Sequence, residues 1–129
     1  MRTIEQLIAT IKSHPQARQC GMILCHNGIV RSSSRDGRPV NGLKIDVDHD
    51  KLTQVRHKYK QLPGIVEILV EIADQERLAV GDDVMFLVVA GDIRENVIAA
   101  LSGALNEIKA SVTHKTQFFV DDAVNSLEP

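Results

Sequence analysis

Apolar residues recur along this chain with two different periods, and their order predicts its elements. Ile4, Leu7, Ile8 and Ile11 fall at helical spacing between Thr3 and Ser13, the buried stripe of an amphipathic helix. Thr3 with Gln6 forms a capping box at its start, and His14-Pro15 ends it. Met22–Cys25 reads as a strand, after which Asn27-Gly28 allows two outcomes. One is a two-residue hairpin turn; the other is a continuous strand running on through Ile29, Val30 and Arg31 with a bulge at Gly28. The stretch 32–39 is polar, holds Gly37 and Pro39, and predicts a mobile loop carrying Arg35 and Arg38. From Val40 to Val47 the residues alternate, with Leu43, Ile45 and Val47 on one side and Lys44, Asp46 and the following Asp48 on the other, the period of a half-buried strand.

The second half continues in the same way. Leu52, Val55, Tyr59 and Leu62 form the inner stripe of a second helix that Pro63-Gly64 stops. A strand over 65–72 and a charged connector over 73–80 follow. Residues 84–90 are nearly all apolar, which suits a central strand covered on both faces. A third helix starts at Asp92, with Glu95 closing a capping box, and buries Val97, Leu101, Ala104, Leu105, Ile108 and Val112. Residues 117–120 make a last short strand, and the tail beyond Asp121 has little to hold it. Interspersed strands and helices with short connections predict an α+β fold, three helices on a mixed, largely antiparallel sheet, in a single domain over 1–129.

Composition narrows the function classes. The chain carries 15 Lys+Arg against 17 Asp+Glu, a formal charge of −2, without the basic excess of a general nucleic-acid or anionic-membrane binder. No Trp, one Tyr and three Phe leave no stacking surface for single-stranded nucleic acid. No run approaches the roughly 18 apolar residues of a membrane span, and no signal segment opens the chain, so a cytoplasmic location is expected. Cys20 and Cys25 beside an apolar run suit reduced core thiols. Asp46, Asp48 and Asp50 alternate like calcium ligands, but Lys51 and His57 stand where such a loop needs Gly and Glu. Cys20, Cys25 and His26 lack a second Cys/His pair at zinc-finger spacing. No phosphate-cradling glycine loop, nucleophile elbow or dinucleotide fingerprint is present, so neither metal nor cofactor is expected.

Four cations remain: Arg31 at a strand end, Arg94 at a helix N-terminus, and Lys109 and Lys115 around a helix C-terminus. Any one of them alone is an ordinary surface charge. A cation at a helix N-terminus is disfavoured by the helix dipole, which points to a compensating anion, whether a ligand or a neighbouring carboxylate. Arg94 and Lys109 are fifteen residues apart on one helix, roughly 22 Å at the helical rise. They cannot grip one small ligand within one chain. Either they serve different sites, or a symmetric partner brings its own Arg94 to this chain's Lys109, giving a homodimer with composite pockets.

These residues resemble a known family. Gly28-Ile29-Val30-Arg31, Val40-Asn41-Gly42-Leu43, Gly81-Asp82-Asp83-Val84 before an apolar strand, Arg94 at the next turn and Lys109 near the helix end are similar, in order and spacing, to the large, catalytic subunit of molybdopterin synthase. The resemblance covers 21–115. It implies an α/β hammerhead-like fold and a homodimer that takes a small ubiquitin-like sulfur-carrier subunit at each end, a heterotetramer. The carrier's C-terminal Gly-Gly thiocarboxylate would enter the pocket, and two sulfurs would pass to cyclic pyranopterin monophosphate to form the dithiolene of molybdopterin. On this resemblance Arg31 and Arg94 bind the pterin phosphate substrate, Arg94 from the other subunit, while Lys109 and Lys115 are catalytic. The chain departs from the family at Ile93, where a His is usual, and at Thr113-His114-Lys115-Thr116, where a Pro-aromatic-Trp-Lys segment is usual. Lys115 meets the second lysine only with a one-residue gap. These departures motivate an alternative, a catalytically inactive dimer serving as a binding or assembly module in molybdenum cofactor metabolism.

Overall fold

A computed structural model of the chain describes residues 1–120; the expectation for the tail beyond Asp121 lies outside them. The elements run α1 (Ile4–Lys12), β1 (Met22–Ile29), β2 (Val40–Val47), α2 (His49–Lys60), β3 (Ile65–Ile72), β4 (Asp83–Gly91), α3 (Arg94–Glu107), a π-helical turn (Ile108–Val112) and β5 (Thr113–Phe119), with a short 3-10 turn (Ala17–Gln19) before β1. This is the expected α+β arrangement of three helices. The strands divide between two antiparallel sheets, a three-stranded one in the order β1-β4-β3 and a two-stranded one of β2 and β5.

The apolar run of β4 is explained by its place in the middle. One of its faces, Met85, Leu87 and Val89, packs with Val97, Ala100 and Ala104 of α3 and Val55 of α2. The other, Phe86, Val88 and Ala90, packs with Leu7 and Ile11 of α1. A strand with water on neither face needs apolar residues at both phases of its alternation. A third cluster, Val30, Leu43, Ile45, Ala73 and Leu78, lies beneath β2. Gly103 sets how closely α2 and α3 approach, since a Cβ there would stand 2.6 Å from Tyr59 Cε1.

Local chemistry decided some boundaries and long-range pairing decided others. The Thr3–Gln6 capping box forms as expected, with the Gln6 amide donating to the Thr3 hydroxyl and the Thr3 amide to the Gln6 side chain. Asn27-Gly28 makes no hairpin: β1 runs through it against β4, and the register shifts between Gly28 and Ile29, the bulged alternative. The expected Asp92–Glu95 box is replaced. Asp92 accepts from the Ile93 amide and from Asn96 Nδ2, leaving Ile93 as the cap residue with no side-chain cap. Leu62 stays 39% exposed instead of facing inward, because α2 has already ended at Lys60. Cys25 is exposed, so it is not a core thiol, and Cys20 is half-buried, packing against the cluster under α1 without being enclosed by it.

Candidate functional site

A cleft of about 570 Å³ opens where the two sheets meet, within the size range of small-ligand sites. Its floor is apolar, from Leu43 and Ile45 of β2, Ile72 of β3, and Val84 and Met85 of β4. Its polar groups are His26 from β1, Arg35 from the loop after β1, Lys109 from the π-helical turn, and His114 and Lys115 from β5. A second hollow of about 260 Å³ shares Arg35, Lys109 and Lys115 with it and adds Arg31, Ser33 and Gln117. The two form one basic depression.

Each side chain is placed by its backbone. Lys115 stands opposite Ile45 in the β2–β5 register, and directly opposed residues of an antiparallel pair share a face. Lys109 leaves the π-helical turn beside it. Arg31 donates from Nε to the Ser33 carbonyl at 2.8 Å, which holds it along the loop. That loop is tied by backbone bonds from Ser34 to the Arg38 carbonyl and from Gly37 to the Ser34 carbonyl, and by the buried Ser34 hydroxyl donating to the Asp36 carboxylate.

The electrostatics are one-sided. Among the described residues no acidic side chain lines either hollow, and no ion pair involves Lys109 or Lys115. Burial, followed by the Lys109 ammonium, holds His26 below the ordinary imidazole value. Converging cations without a carboxylate favour an anionic ligand and can stabilise negative charge that develops during a reaction.

Of the four candidate cations, the structure brings Arg31, Lys109 and Lys115 together and leaves Arg94 apart. Arg94 is 79% exposed, pairs with Glu95 at 3.1 Å and lines a shallow groove with Gly21, Met22 and Ile93. Three titratable residues of the cleft are not among the four candidate cations: Arg35, His26 and His114. Nothing in the loop's composition singled out Arg35 from Arg38. His26 could have been found from strand alternation, which puts it on the same face as Gly28.

The family model described as MoaE protein matches residues 2–111. No curated protein matches the chain. Among solved structures, molybdopterin synthase from Staphylococcus aureus superposes with a TM-score of 0.75 at 19% identity, over 93% of this chain and 87% of that one. The MoaE molybdopterin biosynthesis protein of Burkholderia ambifaria MC40-6 gives a TM-score of 0.71 at 14% identity, over 97% and 90%. The protein-protein complex of subunits 1 and 2 of the molybdopterin-converting factor from Helicobacter pylori 26695 gives 0.68 at 17% identity, over 94% and 86%. At these identities the likeness shows a shared fold.

Proposed function

The chain belongs to the MoaE protein family, matched over 2–111, and from that premise we propose that it is the large subunit of a molybdopterin synthase in molybdenum cofactor biosynthesis. Its partner is a small sulfur-carrier subunit ending in Gly-Gly, and its substrate is cyclic pyranopterin monophosphate. It works in the cytoplasm as a homodimer flanked by two carriers.

The observation that carries this reading is the convergence of Arg31, Lys109 and Lys115 on one cleft that no acidic residue lines among the described residues. Transfer of sulfur from an acyl thiocarboxylate builds up negative charge at the donor and the acceptor. Fixed cations in a partly desolvated cleft stabilise such charge without reorganising. Lys109 and Lys115 are the groups for that task, and Arg31 is the group for the phosphate. The exposed Arg94 serves the pterin from a second copy of the chain.

The test supplies purified protein with thiocarboxylated carrier and cyclic precursor and measures dithiolene. Product is expected with wild type, and Lys109→Ala should lower the rate by about 10²–10³-fold, the usual loss when one charge-stabilising group is removed. No product from wild type, or an unchanged rate in the variant, counts against sulfur transfer. Ile93 favours a second reading, an inactive assembly module, because it puts an apolar side chain, 54% exposed, beside Arg94. That reading predicts carrier binding without turnover.

A further inference from the structure

Along β1, Met22, Leu24, His26 and Gly28 share one face, being paired with Gly91, Val89, Leu87 and Met85 of β4. Met22 and Leu24 pack into the core under α3, whereas His26 lines the cleft. Gly28 also lines it, and a Cβ there would stand 3.3 Å from His26 Nε2. The missing side chain lets the imidazole lie along the strand. Nε2 is shielded from solvent and has no hydrogen-bond partner among the described residues. Buried polar atoms in native proteins are rarely left this way. Among the described residues, the titratable groups around the cavity besides His26 are Arg35 from the loop, Lys109 from the π-helical turn, and His114 and Lys115 from β5; β3 and β4 contribute apolar side chains.

We propose that His26 is the orienting hydrogen-bond group of this cleft, its Nε2 bonding an oxyanion held between Lys109 and Lys115, with Gly28 keeping the ring in place. The identity of that oxyanion rests on the sulfur-transfer reading. It is either the carboxylate-type end of the carrier or the phosphate of the pterin, and both offer the same acceptor chemistry. A lysine ammonium attracts such a group from many directions, whereas an imidazole N–H fixes one. The bound anion offsets the field of Lys109 that disfavours imidazolium. His26 therefore holds a proton more readily in the complex than in the free protein, and affinity rises as pH falls through the interval between the two titrations.

The experiment is NMR of the full chain carrying ¹⁵N-labelled histidine, titrated with pH alone, with glycylglycine and with inorganic phosphate. His26→Gln and His114→Gln assign the two cleft histidines. In the free protein His26 should titrate below the ordinary value of about 6.5, and the probe that binds should move it upward. A response to glycylglycine identifies the carrier end as the source, and a response to phosphate identifies the pterin. His26→Phe should weaken binding about ten-fold, the loss of one hydrogen bond to a charged group, and flatten its pH dependence. His26→Gln, which keeps an N–H donor without titrating, should recover most of the affinity with a flat pH profile. Should the Phe variant misfold, the labelled wild-type titration decides alone. The proposal is overturned if neither probe binds, if binding leaves the His26 resonance unmoved, or if the folded Phe variant binds like wild type. Dithiolene formation with an unmoved His26 would sink this inference and spare sulfur transfer; a responsive His26 without dithiolene would do the reverse.

Discussion

The separation of Arg94 from Lys109 can be tested by mixing two crippled chains. The two residues lie fifteen positions apart, at the start of α3 and within the turn that follows it, roughly 22 Å along the axis at the helical rise, and they line different depressions. If each working pocket combines Lys109 of one chain with Arg94 of another, Arg94→Ala and Lys109→Ala each disable every pocket in their own homodimer. Each should lose about 10²–10³-fold in rate. A mixed dimer has one pocket with both residues intact and one with neither. Random pairing makes about half of all dimers mixed, so about a quarter of wild-type pockets return. Co-expressed variants should then form dithiolene about 25- to 250-fold faster than either variant alone. The assay is the rate of dithiolene formation with saturating carrier, and differential tags verify that mixed dimers are present. A mixture no faster than the mean of its components would refute the composite pocket, and a monomeric mass at working concentration would remove its premise.

Packing and pH give two further expectations. Gly103→Ala gains about 1 kcal/mol of helix propensity but drives a methyl toward Tyr59, 2.6 Å from Cε1, at a cost of about 1–3 kcal/mol; urea unfolding should show a net loss of up to about 2 kcal/mol, and a gain in a Tyr59→Leu background. Glu67, buried in β3, pays desolvation that would raise its pKa, but the Ile68 amide and the Lys60 and Arg56 cations hold it below the usual carboxylate value. Its contribution is therefore full above about pH 4.3, the unfolded value, and is lost as pH falls through the lower folded value. The stability difference between wild type and Glu67→Gln should be about 1–3 kcal/mol at neutral pH and shrink across that acid window; a pH-independent difference would contradict it.

Much of the fold was legible because its elements follow a single local rule. The stripe of α1, the alternation of β2 and the unbroken apolar run of β4 each encode burial on one face or two, and each element lies where its pattern put it. The rest depended on partners distant in sequence. Asn27-Gly28 is a favourable hairpin dipeptide, yet eight residues of pairing with β4 outweigh one turn. The first half of β5, Thr113 to Thr116, is too polar to read as a strand and becomes one by pairing with Val47 to Lys44 of β2. Arg31, Lys109 and Lys115 stand out in the sequence as cations around predicted element ends, and the structure brings these three to one depression. Arg35, His26 and His114 do not, since their place in the cleft depends on where two sheets meet, which no local pattern records.

The departure around Lys115 bears less on the cleft than its sequence suggests. Had α3 carried both lysines, a one-residue gap would have turned the second by about 100°, away from the first. The helix instead gives way to the π-helical turn Ile108–Val112 and then to β5. The orientation of Lys115 is therefore set by strand register, through its pairing with Ile45, itself a cleft residue. A one-residue slip of that register would reverse the face on which Lys115 lies, but buried Leu43 and Ile45 anchor β2 in the core below it. What keeps the two lysines in one cleft is thus the apolar face of β2 together with Val112, which lies between them and is buried in the core under α3.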